Sequence, residues 1–134
     1  MTPPLAVNLP DVLAEVEAVF AAYETALVTN DLAALDALFW HSPAAVRFGT
    51  GESLYGIEAI RAFRAARDPR GLARTLRRTV VTTFGRDFAT AMTEFTRPGS
   101  DRIGRQSQTW VRLPEAGWRI VAAHVSLIDP PPPD

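Results

Sequence analysis

The hydrophobic period of this chain changes once, and the change dictates the fold class. Up to about residue 67, apolar side chains recur every three or four positions. Beyond Asp68-Pro69-Arg70-Gly71 they alternate with polar ones. The alternation is interrupted by Phe84-Gly85-Arg86-Asp87, Pro98-Gly99-Ser100-Asp101 and Pro114-Glu115-Ala116-Gly117. These turn sequences delimit four long strands, about 73–83, 88–97, 102–113 and 118–128. Four strands in hairpin succession form an antiparallel meander with one face to bury, and the helical half must cover it.

That half supplies three helices. Val12, Val16, Val19, Phe20, Tyr23 and Leu27 mark one helix face, with Asp11 after Pro10 as its N-cap. Asn30-Asp31 opens a second helix with Leu32, Leu35, Leu38 and Phe39 inward. Val46-Arg47-Phe48 reads as a short strand turned by Gly49-Thr50-Gly51, with Leu54-Tyr55-Gly56 as its return. A third helix, about 57–67, carries Ile57, Ile60 and Phe63. Residues 1–10, with three prolines, are expected to be a loose arm, and 129–134 a polyproline tail. One domain, 11–128, of class α+β is therefore expected, its helices packed on a curved antiparallel sheet that leaves a cone.

Absent residue types narrow the chemistry. Without cysteine there are no disulfides, thiolate nucleophiles or Cys-ligated metals. All 14 basic residues are arginine, which removes Schiff-base chemistry, a Walker A loop and a serine–lysine dyad. With only His41 and His124, no metal site is expected. MTPPLAVNLP has neither a basic start nor a long apolar run. No stretch approaches the roughly 20 apolar residues of a bilayer helix, so no membrane partner is expected and the cytoplasm is the expected location. The net charge of −1 recruits no nucleic acid overall. Arg61, Arg64, Arg67, Arg70, Arg74, Arg77 and Arg78 are nonetheless clustered. Lacking aromatic interleaving or a motif, they read as a solvated helix edge.

The segment Gly104–Val111, GRQSQTWV, is strand by position but opens with Arg105, Gln106, Ser107 and Gln108. Even loop parity would close the hairpins with Thr83 opposite Phe88, Arg97 opposite Arg102 and Leu113 opposite Trp118. The more apolar face then carries Val80, Thr82, Ala89, Ala91, Thr93, Phe95, Gln106, Gln108, Trp110, Val121, Ala123, Val125 and Leu127. Arg77, Thr79, Glu94, Arg105, Ser107, Trp118, Ile120, His124 and Ser126 fall on the other. Opposite parity would instead turn Ser107 and His124 inward. Two buried amides without partners cost roughly 1–3 kcal/mol each, so protein groups or a polar ligand must satisfy them. Tyr23, on the first helix's apolar stripe, is either a core tyrosine or part of such a site. Arg47, opposite to Val46 and Phe48, is a surface arginine, a partner of Glu52 or Glu58, or a carboxylate clamp.

AVRFGTGESLYGIEAIRAFRAAR (45–67), GRQSQTWVR (104–112) and GWRIVAAHVSLI (117–128) together resemble the AtzH/HpxZ-like family of the nuclear-transport-factor-2-like, or SnoaL-like, superfamily. The resemblance spans about residues 11–128. It implies a cone-shaped fold and a place in cyanuric acid or oxalurate catabolism. The implied activity is cofactor-free removal of a carboxyl unit from 1,3-dicarboxyurea to give allophanate, downstream of an amidase-signature enzyme. It also implies Tyr23 and Arg47 as catalytic residues. In the scheme built on them, Gln106, Gln108 and Trp110 bind substrate, with Trp40, Ser107 and His124 as further candidates. A homodimer through the sheet face away from the pocket is expected from the superfamily. The rival reading is a non-catalytic ligand-binding cone, or an accessory subunit docked on an amidase.

Overall fold

The computed structural model describes residues 4–133. Helix α1 spans Pro10–Val28, α2 Leu32–Leu38 and α3 Ile57–Ala66. Strands β1 (Val46–Phe48) and β2 (Ser53–Tyr55) form a hairpin between α2 and α3. The meander follows as β3 (Thr75–Phe84), β4 (Phe88–Thr96), β5 (Ile103–Leu113) and β6 (Gly117–Ile128). All six strands make one curved, unclosed sheet in the order β2-β1-β6-β5-β4-β3. The period change near residue 70 thus becomes the start of the meander, while the short β1–β2 hairpin of the helical half joins the sheet at β6.

Val12, Val16, Phe20, Tyr23 and Leu27 are buried along α1, and Leu35, Phe39, Ile57 and Ile60 along the other helices and the α2 exit. They pack on Ala89, Ala91, Trp110, Trp118, Ile120 and Ala123 of the sheet. The Asp31 cap forms, its carboxylate accepting from the Ala34 N–H at 3.1 Å. The Asp11 cap does not. Proline needs no N–H partner at a first helical position, so α1 starts at Pro10 and Leu9 stands at the cap. Asp11 pairs instead with Arg86 at 2.9 Å.

Even loop parity holds for the middle hairpin, where Phe95 faces Gly104 and Ala89 faces Trp110. It fails at the other two. Phe84 closes on Phe88 and Leu113 on Gly117, each around a three-residue loop. Gly85 at φ 63° and Glu115 at φ 66° supply the left-handed residues such loops need. One bulge per hairpin restores the expected register farther on, between Arg77 and Val80 (with Arg78 at φ 54°) and beside Thr109/Trp110. Faces are therefore exchanged only between turn and bulge. Val80 is 57% exposed while Thr83 is buried, and Trp118 and Ile120 rather than Val121 join the core. The expected inward places of Val80, Thr82 and Val121 are thus wrong. Those of Gln106, Gln108 and Trp110 are right.

Ala6 to Asn8 also depart from the expected loose arm. The Asn8 N–H donates to the Thr83 carbonyl at 3.0 Å, and the Gly85 N–H to the Ala6 carbonyl at 2.7 Å, so they line the β3 edge. Residues 1–3 and 134 lie outside the described residues; 129–133 are exposed and without regular structure.

Gly104 is a packing requirement. A β-carbon there would overlap the Phe95 ring from the paired strand. Gly104→Ala is expected to lower unfolding free energy by about 1–3 kcal/mol, since overpacking a closed core forces side chains off their rotamers. Urea denaturation reads this directly, and an unchanged midpoint would contradict the packing.

Candidate active site: an arginine cluster beside Tyr23

Parallel pairing of β1 with β6 sets Arg47 beside Ala123, on the face that packs against the helices. Its side chain therefore points inward, and the residue is 8% exposed. Nη1 lies 3.2 Å from Glu52 Oε1, and the guanidinium carbon 5.5 Å from the Phe63 ring centroid. Arg47 is therefore a buried arginine and a partner of Glu52, not a surface residue. Gly49 makes the contact sterically feasible, because any β-carbon there would overlap the Glu52 carboxylate.

Tyr23 is 3% exposed, and its hydroxyl accepts from Arg64 Nη2 at 3.3 Å. Burial alone would push this phenol up. The positive charges of Arg64, Arg47 and Arg74, with the Arg64 hydrogen bond, outweigh that and hold it below its ordinary 10.0. The charge of Arg47, distant in sequence, thus reaches the Tyr23 phenol.

Both glutamines are buried, and each has its amide orientation set by a donor. Gln106 Oε1 accepts from Arg74 Nη2 at 2.9 Å, and Gln108 Oε1 from the Trp110 indole N–H at 3.0 Å. A donor on the oxygen leaves the NH2 end free, and neither Nε2 has a partner among the described residues. The polar run in GRQSQTWV therefore places two unspent NH2 groups against the helical layer. Trp110 is fully buried, and its polar contact is with Gln108. Trp40 packs half-buried on the core, its backbone N–H on the Ile120 carbonyl at 3.0 Å. Ser107 and His124 face each other on the outer sheet surface, away from Tyr23 and Arg47.

Sequence reading missed four further arginines and one carboxylate. Arg74 has a side chain 2% exposed and makes a close two-pronged pair with Glu24, at 2.6–3.2 Å. Arg74 and Arg97 lie over the Phe95 ring at 4.5 and 5.3 Å. Arg64 is buried over Tyr23 and Phe39, and Arg67 is half-buried at the C-terminal cap of α3. The solvated-edge reading is therefore wrong for Arg64, Arg67 and Arg74, while Arg61 pairs with Asp36 and Arg77 with Glu94 nearer the surface. The signal for Arg64 was present, since it follows Ile57 and Ile60 at positions one, four and eight of a single helix face. Arg74 and Arg97 sit just outside the strands, where no period speaks.

Clustered near Tyr23 and Phe95 are the guanidiniums of Arg47, Arg64, Arg67, Arg74 and Arg97 and the carboxylates of Glu52 and Glu24. Among the described residues, Arg64, Arg67 and Arg97 have no carboxylate partner, and each keeps buried N–H groups unbonded. Burial and the neighbouring guanidiniums push Arg67 down, and burial and Arg74 do the same to Arg97. A buried ion without a counter-ion costs several kcal/mol, so the arrangement is electrostatically suited to anionic groups.

If Glu52 occupies Arg47 only until a substrate carboxylate arrives, Glu52→Gln should tighten carboxylate binding by roughly tenfold, about 1.4 kcal/mol. Calorimetric titration with malonate reads this, and weaker binding would show that Glu52 orients Arg47 instead.

Comparison with solved structures places the fold. A protein of unknown function from Pectobacterium atrosepticum is 64% identical, with TM-score 0.90, covering 92% of this chain and 95% of that one. A cystatin-like fold protein from Burkholderia xenovorans is 56% identical, with TM-score 0.92, covering 96% and 100%. A nuclear transport factor 2-like superfamily protein from Salmonella enterica shares the fold at 24% identity and TM-score 0.70, covering 87% and 90%. Comparison with curated proteins returns no match. A family model described as AtzH-like matches residues 5–131.

Proposed function

Since the chain belongs to the AtzH-like family, we propose that it is a decarboxylating amidohydrolase for an N-carboxylated urea of the 1,3-dicarboxyurea type, leaving an allophanate-type product. The observation that carries this reading is the surplus of positive charge, three buried and two half-buried guanidiniums against two carboxylates, beside two amide NH2 groups without partners among the described residues. A flat molecule with negative ends and a urea core between them meets both needs. Its carboxylates neutralise arginines, and its carbonyl accepts from Gln106 and Gln108.

In this scheme Arg47 grips the carboxylate that is retained, and Tyr23 faces the nitrogen that bears the other. The nitrogen takes the phenolic proton, and the N–C bond breaks with its electron pair staying on nitrogen. The carbon leaves as CO2, and a solvent proton restores the phenol. A phenol held below its ordinary range is the better acid for this step. Trp110 acts through Gln108 by pinning its oxygen. A role in nitrogen-compound catabolism beside an amidase-signature enzyme, with two copies joined through the outer sheet face, completes the proposal.

The test is formation of allophanate and CO2 from 1,3-dicarboxyurea generated in situ. Enzyme-dependent release above the spontaneous rate is expected. A spontaneous rate alone, with dicarboxylate binding intact, would leave only a ligand-binding module.

A further inference from the structure

We infer that Arg64 is a positioning residue for the proposed reaction: it fixes the Tyr23 oxygen and supplies the counter-charge to the phenolate formed when that proton leaves. The inference rests on the reading of Tyr23 as proton donor and extends it to a residue outside the candidate set.

Helical spacing turns Arg64 inward with Ile57 and Ile60, where an apolar side chain would be expected. It is 5% exposed, its Nη2 reaches the Tyr23 hydroxyl at 3.3 Å, and its carbon lies 5.0 Å from the Phe39 ring centroid and 5.8 Å from that of Tyr23. Two ring faces and one hydrogen bond leave this guanidinium little freedom.

Its charge is also outside any ion pair, with Asp36 acting on it only at longer range. The other charged groups nearby are arranged differently. From α1, Glu24 is tied to Arg74, which precedes β3. From β1, Arg47 is tied to Glu52. From α2, Asp36 is tied to Arg61. Arg67, at the end of α3, has no carboxylate partner among the described residues but makes no hydrogen bond to the phenol. Each ion pair attenuates its arginine's field at Tyr23, whereas Arg64 combines direct contact with no carboxylate of its own among the described residues. Proton donation leaves a negative oxygen in a buried site. The residue that receives that charge without moving lowers the barrier to forming it.

The experiment uses the two tyrosines of the chain. Tyr55 is exposed on β2, so Tyr55→Phe leaves Tyr23 as the sole tyrosine. Ultraviolet difference titration of that protein reports phenolate formation without any substrate. The midpoint is expected below the ordinary 10.0 of a phenol. Adding Arg64→Met should raise it by at least about one pH unit, and Arg64→Lys should recover part of the shift. Arg64→Gln provides a second neutral variant should the Met variant fold poorly. Because the acid form is the donor, activity falls as pH rises through the midpoint. The basic limb of kcat should therefore move up with the titration in Arg64→Met.

A midpoint that ignores both neutral variants overturns the inference even if decarboxylation is confirmed. A midpoint that moves while no carboxylated urea is turned over keeps Arg64 as the partner of the phenol and overturns the reaction instead.

Discussion

Tyr23→Phe is expected to lower kcat by about 10²–10⁴-fold with little change in KM, the range for removing a positioned proton donor. Phenylalanine fills the same buried volume and still stacks beside Phe39, whose ring centroid lies 6.3 Å away. What it lacks is the oxygen that Arg64 contacts. Arg47→Ala should instead act largely on KM, because Arg47 grips a carboxylate that persists through the reaction. It also strands the partly buried Glu52 carboxylate, which then repels the substrate. Together the two variants separate proton transfer from binding. Steady-state allophanate formation measures both, and wild-type rates in the pair would end the catalytic reading.

The second large effect concerns stability, and its value lies in opposite signs. Glu24→Gln should lower unfolding free energy by about 3–5 kcal/mol, the cost of stripping the counter-ion from a buried arginine. Arg74 has nowhere to go. Its side chain is 2% exposed, lies over Phe95 beside Arg97, and is bonded to Gln106. Arg64→Met should do the reverse in the ligand-free protein and raise stability by roughly 1–2 kcal/mol. The variant loses ring contacts worth about 0.5–2 kcal/mol but relieves a buried charge costing several. Urea denaturation at neutral pH, with and without malonate, tests the pair. Malonate should stabilise the wild type more than Arg64→Met. If both variants were destabilised alike, the arginines would be structural and the excess charge would not be a binding device.

How far the site was legible can be followed residue by residue. Gln106 and Gln108 were assigned inward from the middle hairpin, whose register is as read. Their separate donors, Arg74 and Trp110, differ in kind. Trp110 is two positions along the same strand, within reach of the alternation rule, whereas Arg74 comes from the loop before β3, where no rule assigns a direction. The outer hairpins have odd loops rather than even ones. The error did not reach the site because each bulge returns its strand to phase before Gln106, Gln108 and Ala123.

Periodicity determined the three helices and the meander, turn parity the inward face of β5, and only the family resemblance singled out Tyr23 and Arg47. The helices, the meander and the inward face are consequences of how a side chain points from its own element, which nearest neighbours in the chain decide. Which arginines converge was decided only by the curl of the sheet. That curl brings α3 and the approach to β3 toward the Tyr23 hydroxyl, with the end of β4 beside Arg74. It depends on twist and bulges accumulated over six strands, and no short window of sequence contains it.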